Sequence, residues 1–319
     1  MDGGKEEAPV HLNFASDWGT GPIFTICGWL AGGLRPLYPP ESTFDVRITP
    51  GVLENIHLVG RGKTHLGGTL PPLNVRLARE GKGDFTQPYP NLRAIGKLPH
   101  HTLFSFVVAD ETGISSIEEI REKKYPLKLA TRLASYGSIN FIANLILDYY
   151  GLSPAALQKQ GGGIVPAGAA YSATEQIARG EADAILNQVG TAIWTNLARS
   201  KRVRFLALSE DLVQRLEREY GCTRAWIKKG QFAGVEKDVL CLDWSDLIVF
   251  VSEKLRFGIA YNLARLMTET RETLEGLMYT PGGRYSHLTA PIDPKFVCRD
   301  LEVPLHAGAE KWYRDRGYL

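Results

Sequence analysis

The sequence predicts an α/β protein of two lobes, in which each lobe is a mixed sheet flanked by helices. Strand patterns alternate with helix patterns along most of the chain, and this alternation is typical of α/β folds. Two stretches, 54–69 and 173–188, also share one pattern. In both, a helical segment reaches a glycine and a charged residue, and a short apolar run then ends in small polar residues. Two copies of this pattern indicate two lobes.

The ends of the two stretches indicate where a ligand would bind. Gly60 and Gly180 are predicted to end the helices, because glycine adopts the left-handed cap conformation at little cost. The apolar runs that follow are predicted to be buried strands. Thr69 in the first stretch, and Asn187 and Gln188 in the second, then lie at the carboxyl ends of strands. Open α/β sheets bind ligands at that edge, so these three residues are predicted to contact one.

The remaining elements follow from local patterns. The runs 103–109 and 247–252 are long and rich in β-forming residues, and we expect the chain to cross between lobes close to them. Lobe 1 is therefore predicted to comprise residues 8–107 and 247–319, and lobe 2 residues 108–246. Further strands are predicted at 10–15, 44–49, 65–69, 127–133 and 203–208, and helices at 21–31, 117–123, 138–150, 211–219 and 255–277.

Length and charge exclude several classes of protein. The 319 residues suffice for two lobes with separate cores. The net charge of +2 and the lack of a dense basic stretch argue against a nucleic-acid partner. The longest apolar run, 21–31, is too short to span a bilayer and is predicted to be a buried helix. The protein is predicted to be a monomer.

Three partial motifs fail as cofactor or metal sites. Gly62-Lys63-Thr64 resembles the end of a phosphate-binding loop, but His57 stands where that loop needs a glycine, and a strand follows instead of a helix. The segment 19–21 begins like a dinucleotide fingerprint, but Phe24 occupies its third glycine position. The adjacent histidines at 100 and 101 would point to opposite faces of a strand. No cofactor or metal is therefore predicted.

The cysteines do not form a metal-binding pattern. They stand far apart, and no two are spaced as Cys-x-x-Cys. A disulfide between Cys222 and Cys241 is one possibility in an oxidising compartment. Four buried thiols that act as small apolar side chains are the favoured alternative. The four are Cys27, Cys222, Cys241 and Cys298.

The turn after the first strand is a candidate anion site. It opens a helix whose first N–H groups lack intrahelical partners, and those groups together with the helix dipole attract an anion. Ser16, Asp17 and Thr20 are the predicted polar contacts in this turn. Capping of the helix by one of the same three side chains is an equally weighted alternative. Trp18 is predicted to be an apolar lid over the ligand or, equally, a core residue.

A matching turn lies in the second lobe and also opens a helix. Ser135 and Ser138 are predicted to cap that helix or to contact the ligand, and Tyr136 would provide an aromatic wall. Arg132 has the geometry to bind a carboxylate with two hydrogen bonds, although an ordinary surface arginine is the favoured alternative. Phe232, like Trp18, is a candidate lid or core residue. The two turns are predicted to face each other across the ligand.

Five stretches in consistent order resemble one known family. Ile48 to Ile56 is similar to a Gly-Ser-x-x-Asn-Ile turn, and Leu92 to Gly96 to the strand of the first lobe. Gly113 to Ile117 resembles the Gly-Ile-x-Ser entry to the second lobe, and Lys229 to Gly234 a Pro-Ala-Gly-x-Tyr-x-Gly turn. Pro304 to Tyr313 is similar to a Pro-Leu-His-Pro-Gly-Ala-x-x-Tyr tail. These motifs belong to the TAXI-type receptors of tripartite (TRAP) transporters, which are periplasmic-type solute-binding proteins.

The resemblance implies a two-lobe periplasmic-binding-protein-like fold of type II. It implies an extracytoplasmic protein that traps a small organic anion, a carboxylate or amino acid, by hinge closure and hands it to a TRAP-type permease. It also adds Thr49 to the predicted ligand contacts. Asp17 departs from the glycine and threonine usual in the family, and Ile23 and Phe24 replace its tyrosine-containing turn. Both departures argue against the usual amino-acid ligand.

Two other functions stay open on the sequence alone. One is a cytosolic decarboxylase or dehydratase on the same fold, for which Asp17 and Arg132 would be the acid–base pair. The other is a ligand sensor that signals to a partner protein. The acidic segment 1–7 has no hydrophobic core and is not a signal peptide. The chain is therefore either a mature protein with an added Met or a natural cytosolic protein, and the resemblance favours the first.

Overall fold

The computed structural model describes residues 8–19, 21–132, 139–167, 170–281 and 286–319. Contacts between Cα atoms divide the chain into two compact units. Unit 1 comprises Met1–His100 and Asp246–Leu319, and unit 2 comprises His101–Ser245. The strands are β1 His11–Ala15, β2 Thr43–Arg47, β3 Leu66–Thr69, β4 Leu92–Leu98, β5 Thr102–Ala109, β6 Lys128–Arg132, β7 Gly163–Ala167, β8 Ala184–Gly190, β9 Val203–Leu206, β10 Thr223–Ile227, β11 Val239–Asp243 and β12 Leu247–Ser252.

Helices flank both sheets, and each unit has its own apolar cluster. The apolar cluster of unit 1 includes Phe14 and Leu30, and that of unit 2 includes Trp194 and Phe205. The helices are α1 Pro22–Leu34, α2 Val52–Gly60, α3 Leu73–Glu80, α4 Ile117–Glu122, α5 Ile139–Tyr149, α6 Pro154–Lys159, α7 Ala170–Ala178, α8 Thr191–Ser200, α9 Glu210–Tyr220, α10 Phe257–Glu269, α11 Arg271–Met278, α12 Pro294–Val297 and α13 Ala307–Asp315.

The sheet of unit 1 is mixed, with strand order β2-β1-β3-β12-β4. β1 is parallel to β2 and to β3, whereas β12 is antiparallel to β3 and β4. The carboxyl ends of β1, β2 and β3 therefore meet at one edge, together with the end of β4 and the beginning of β12. Each described residue that the sequence places in the first candidate site either ends or follows one of these strands.

The sheet of unit 2 is also mixed. Its strand order is β10-β11-β5-β8-β6-β7, and β9 pairs with β5. β6 is parallel to β7 and β8, and β5 is antiparallel to β8, β9 and β11. Because these pairings place all of β5 in this sheet, the observed division falls at 100/101, upstream of the expected crossing near 107. Two mixed sheets flanked by helices confirm the predicted α/β two-lobe class.

Two predicted helix ends are wrong. The helix expected over 255–277 is two helices, because Thr270 leaves the helical conformation and its hydroxyl donates to the Leu266 carbonyl, at 2.9 Å. Gly60 was expected to take the left-handed cap, but it is the last residue of α2, and Gly62 is left-handed with φ of 68°. A Cβ atom at Gly60 would lie 2.3 Å from the Tyr89 ring. The glycine is therefore required by packing.

The tail motif, Pro304 to Tyr313, contributes hydrogen bonds within unit 1. His306 caps α13: its Nδ1 accepts from the Gly308 N–H at 3.1 Å, and its Nε2 lies 3.0 Å from the Leu255 carbonyl oxygen. The Tyr313 hydroxyl donates to the Ile95 carbonyl at 2.8 Å inside the core. The motif thus has a structural role in this chain, and His306 orders a loop.

Three observations bear on membrane, redox and metal chemistry. Among the helices that the structure describes, none has the length and apolar character to cross a bilayer. All four cysteines are free and buried. Burial raises the pKa of the Cys241 thiol to about 12, so it is protonated at neutral pH. Within the described ranges, no three His, Cys, Asp or Glu side chains are grouped so that they could hold a metal ion.

Candidate functional site

Five of the predicted ligand contacts lie at one edge of the unit 1 sheet. Ser16, Asp17 and Trp18 directly follow β1, Thr49 follows β2, and Thr69 ends β3. Because these strands are parallel, their carboxyl ends share the edge at which open α/β sheets bind ligands. Thr20, which was predicted with them, lies outside the described residues.

The Asp17 carboxylate occupies the amino-terminal end of α1. Its Oδ1 accepts from the N–H groups of Gly19 and Gly21 at 3.2 and 3.0 Å. Its Oδ2 accepts from the N–H groups of Ile23 and Phe24 at 2.9 and 3.2 Å. The residue is only 1% exposed. The carboxylate therefore satisfies the unpaired donors of the helix and lies at the positive end of its dipole.

This arrangement corrects the predicted anion site of unit 1. The first N–H groups of the helix were predicted either to bind a ligand or to be capped by a side chain of the turn, and those of Gly21, Ile23 and Phe24 are bonded to Asp17. The capping alternative is what the structure contains. A Cβ atom at Gly21 would lie 2.3 Å from Asp17 Oδ2, so the glycine leaves the space that the carboxylate fills. A ligand carboxylate at this helix start would find the described N–H groups already bonded and would face a like charge.

Ser16 and Thr49 take part in a buried hydrogen-bond network. The Ser16 hydroxyl donates to the Arg47 carbonyl at 2.7 Å. The Thr49 hydroxyl lies 2.7 Å from both the Ser16 carbonyl oxygen and Asn55 Oδ1. Asn55 Nδ2 donates to the Gly68 carbonyl at 2.9 Å. The network ties the ends of β1, β2 and β3 together, so these hydroxyls position the edge. Asn55 belongs to it, although the sequence analysis did not select it as a site residue.

Two apolar side chains are exposed at this edge. Trp18 is 38% exposed, and Ile48, which follows β2, is 66% exposed. Ideal Cβ atoms at Gly19 and Gly51 would lie 3.1 Å from Ile48 Cδ1 and 3.9 Å from Trp18 Cζ3, so both side chains cover the same loops. Thr69 is fully buried, and Asn74 Nδ2 lies 3.5 Å from its hydroxyl oxygen. Unit 1 therefore offers a ligand an indole ring and an aliphatic chain.

A buried ion pair at the same edge was missed by the sequence analysis. Lys97, which is 7% exposed, places its Nζ 3.2 Å from Asp246 Oδ2 and 4.3 Å from the centre of the Phe296 ring. The Asp246 N–H donates to the His100 carbonyl at 2.6 Å. This pair lies where the chain leaves and re-enters unit 1. A lone lysine in an apolar strand gives no sequence signal for such a contact.

His287 lies close enough to Asp17 for the two charges to interact. Its carbonyl oxygen lies 2.5 Å from Nδ1 of His100. Burial lowers the pKa of His287, and the negative charge of Asp17 opposes that shift. The imidazole is partly exposed at the surface, and a lowered pKa keeps it neutral at pH 7. It therefore adds no positive charge to this edge.

Of the seven contacts predicted in unit 2, the structure describes Asn187, Gln188 and Phe232 in full and Arg132 as far as its backbone. Arg132 ends β6, which is parallel to β8, the strand of Asn187 and Gln188. Both residues were expected at the end of their strand, but β8 continues to Gly190. They lie within it because Gly190 still pairs with Thr102 of β5. Ser135, Tyr136 and Ser138 lie outside the described residues, so their place opposite the turn at Asp17 stays a prediction.

Asn187 and Gln188 are buried without complete hydrogen bonding. Asn187 is 0% exposed and Gln188 is 8% exposed. Asn187 Oδ1 accepts from the Gln188 N–H at 2.8 Å. Asn187 Nδ2 and Gln188 Oε1 have no partner among the described residues. Buried polar atoms are nearly always paired, so these two are candidates for contact with a ligand.

Phe232 is a core residue and does not act as a lid. It is 4% exposed and stacks on Phe205 with ring centres 5.3 Å apart and an interplanar angle of 14°. Phe205 in turn makes an edge contact with Trp194. The core alternative is therefore the one that the structure contains, because Phe232 fills the apolar cluster of unit 2.

Comparison with known proteins places the chain in a family and a fold. Residues 37–317 match the model of the NMT1-like family. A search of curated proteins found no match. Among solved structures, a periplasmic transporter aligns with a TM-score of 0.52 and 10% identity, over 98% of this chain and 96% of its own.

Two similar structures contain ligands. PhnD1 from Prochlorococcus marinus, in complex with methylphosphonate, has a TM-score of 0.52 and 12% identity, over 98% of this chain and 100% of its own. MatC from Rhodopseudomonas palustris, with bound malate, has a TM-score of 0.52 and 13% identity, over 98% and 99%. At these identities the likeness establishes the fold, which is that of periplasmic solute-binding proteins. With 37–317 matched, the chain belongs to the NMT1-like family.

Proposed function

We propose that the protein is an extracytoplasmic solute-binding protein that captures a small organic anion without transforming it. The observation that carries the proposal is the buried, incompletely bonded amide of Asn187 in a sheet of this fold. MatC and PhnD1, which share the fold, hold malate and methylphosphonate. A solute with acceptor atoms would complete the hydrogen bonding of the Asn187 Nδ2 group.

The partner and the mode of capture belong to the same proposal. The five motifs that resemble TAXI-type receptors support a TRAP-type permease as the partner. Hinge closure on the solute would replace its hydration with fixed hydrogen bonds and would raise their strength by excluding water. Small-angle scattering with and without solute tests closure, since closure reduces the radius of gyration.

Binding is favoured over catalysis because Asp17, the suspected general acid, has no carboxylate lone pair left for a substrate. The cytosolic-enzyme alternative needs Asp17 to exchange a proton with a substrate. Its two carboxylate oxygens accept four backbone N–H groups and are buried. A carboxylate bonded in this way has no oxygen lone pair left for a substrate. The sensor alternative requires the same capture of a solute and differs only in the partner.

A thermal-shift screen tests the proposed function. The panel contains malate, methylphosphonate, benzoate and phenylacetate, with benzamide and phenylacetamide as uncharged counterparts. A solute present at a hundred times its Kd should stabilise the native state by about 2.7 kcal/mol. We expect at least one anion to raise the Tm. A panel in which no compound raises the Tm would contradict the proposal.

A further inference from the structure

A row of polar side chains crosses one buried face of the unit 2 sheet. Ser105 of β5 pairs directly with Asn187 of β8, and the Ser105 hydroxyl lies beside the Cys241 thiol of β11. All three residues are at most 1% exposed. The next pair along these strands on the same face is Val107 and Ile185, and both belong to the apolar cluster of unit 2. The polar row is thus embedded in apolar surroundings.

Trp194 covers the same face. It lies in α8, which follows β8 directly, and it belongs to the same cluster as Val107 and Ile185. Its ring makes an edge contact with Phe205, whose cross-strand partner is Val107. Trp194 is 0% exposed, and its Nε1 has no hydrogen-bond partner in the described part of the chain.

The orientation of the Asn187 amide follows from its one hydrogen bond. Because Oδ1 accepts from the Gln188 N–H, the Nδ2 group must point its two hydrogens elsewhere. Within the described ranges these hydrogens have no acceptor, and the Ser105 hydroxyl has no oxygen or nitrogen partner. On this buried face, the Asn187 Nδ2 group and the Trp194 indole N–H thus have no acceptor among the described residues, and the Ser105 hydroxyl has only the Cys241 thiol. Native interiors rarely leave such groups unpaired.

We infer that Asn187, Ser105 and Trp194 form the carboxylate-recognition site of the solute-binding protein proposed above, on which this inference rests. Each of the three supplies an N–H or O–H donor, and a carboxylate offers about four acceptor positions on two oxygens. Hydrogen bonds to an ionised acceptor in a dry site are stronger than neutral ones. The helix start of unit 1 does not compete for this group, because Asp17 fills it.

The chain offers a matched control on the opposite face of the same sheet. Trp244 is 1% exposed, and its Nε1 also lacks a partner among the described residues. The centres of its ring and of the Phe104 ring are 5.2 Å apart. Phe104 pairs with Gln188, which is next to Asn187 in β8 and therefore points to the opposite face of the sheet. Trp244→Phe removes the same N–H group from the other face and leaves the proposed site intact.

The test is calorimetric titration of the full chain with malate, benzoate and phenylacetate, and with benzamide and phenylacetamide. The variants are Asn187→Leu, Trp194→Phe and Ser105→Ala, with Trp244→Phe as control. We expect a carboxylate to bind the wild type and its amide to bind at least about tenfold more weakly. Asn187→Leu and Trp194→Phe should each weaken carboxylate binding by about tenfold or more, and Trp244→Phe by less than about twofold.

The outcomes separate the two proposals. If a probe binds the wild type, Asn187→Leu and Trp194→Phe equally well, the recognition site is wrong and the solute-binding function stands. Equal affinity for a carboxylate and its amide would likewise overturn the carboxylate assignment. If Asn187→Leu raises the Tm and leaves every affinity unchanged, the row holds only buried water, which also overturns it. If no probe binds the wild type, the proposed function fails, and the inference fails with it.

Variants that fold are identified before titration by near-ultraviolet circular dichroism. Trp194→Phe retains an aromatic ring against Phe205, and Ser105→Ala removes one oxygen atom, so both conserve most of the packing. If Asn187→Leu does not fold, Asn187→Asp replaces it. An added carboxylate there should abolish carboxylate binding through like-charge repulsion while amides keep their weak affinity.

Discussion

At the scale of single residues, the most consequential side chain is Asp17. The sequence marks Asp17 as a candidate ligand contact. In the structure its carboxylate accepts hydrogen bonds from the four N–H groups that an anionic ligand would need. Its location after β1 and its charge near a helix start were evident from the sequence. Its occupancy of those donors depends on the path of the backbone through 17–24, which residue types alone do not give.

Replacement of Asp17 should therefore lower stability. Asp17→Ala leaves buried N–H groups unpaired and is expected to reduce the free energy of unfolding by about 2–3 kcal/mol. Urea unfolding at neutral pH measures the change. Asp45→Ala, at an exposed position on the neighbouring strand, is the matched control and should change it by less than about 0.5 kcal/mol. Equal midpoints for the two variants would show that the carboxylate is not needed.

His306 makes stability depend on pH. Its Nδ1 accepts from the Gly308 N–H, which requires a neutral ring, and burial lowers the pKa of the imidazole in the folded state. The unfolded chain, with a histidine pKa of about 6.5, then takes up the proton first as the pH falls. The stabilisation is complete above that pH and is lost as the pH falls toward the folded pKa.

Unfolding measured between pH 7.5 and 5 should therefore show a falling free energy. His306→Asn keeps a helix-capping group without a titrating ring, and we expect a shallower pH dependence for it. An unchanged slope in His306→Asn would assign the pH dependence to the other histidines whose pKa values are lowered. His57, His65 and His287 also have pKa values lowered chiefly by burial.

At the scale of elements, α1 shows how local packing fixes a helix start. Gly21 and Gly28 both lie in or at this helix, yet their surroundings differ. A Cβ atom at Gly21 would lie 2.3 Å from the Asp17 carboxylate, whereas one at Gly28 would meet nothing within 4 Å. The same substitution is therefore expected to have opposite effects at the two positions.

Gly21→Ala should destabilise the protein by about 1–3 kcal/mol, because the carboxylate must leave its hydrogen bonds. Gly28→Ala should stabilise it by up to about 1 kcal/mol, since alanine is the better helix former at an exposed position. Thermal unfolding of the two variants under identical conditions gives the comparison. A stabilising effect of Gly21→Ala would place the Asp17 carboxylate elsewhere.

The elements also show which parts of the secondary structure can be predicted from sequence patterns. The run 247–252 was predicted from its continuous apolar pattern and is β12 to the residue. The break of the long C-terminal helix at Thr270 was missed, because apolar periodicity continues through it. β10 and β11 were also missed. Their hairpin is recognisable only from cross-strand pairing, such as that of Ala225 with Cys241.

The candidate sites follow the same rule. The carboxyl-edge argument found Asn187 from the order of apolar and polar residues alone. Its neighbours in the polar row, Ser105 and Trp194, lie in a distant strand and in the next helix, so only the register of the sheet brings them to one face. The ion pair of Lys97 with Asp246 depends on tertiary contact in the same way.

At the scale of the whole molecule, two α/β units with separate apolar clusters form a fold shared with periplasmic solute-binding proteins. Each unit carries an edge of parallel strands, but the two edges differ in chemistry. At the edge of unit 1, Trp18 and Ile48 are exposed, and the helix start is already occupied by Asp17. Unit 2 has buried, unpaired donors within its described residues.

The most direct test of the central claim is isothermal titration calorimetry of the wild-type protein with the carboxylate that raises its Tm most. A solute-binding protein gives heats that return to the baseline after every injection and saturate at one solute per chain. The account predicts that result. Heat that continues after each injection would reveal turnover, and the absence of saturable heat with any carboxylate would show that the protein does not bind such solutes. Either result would contradict the account.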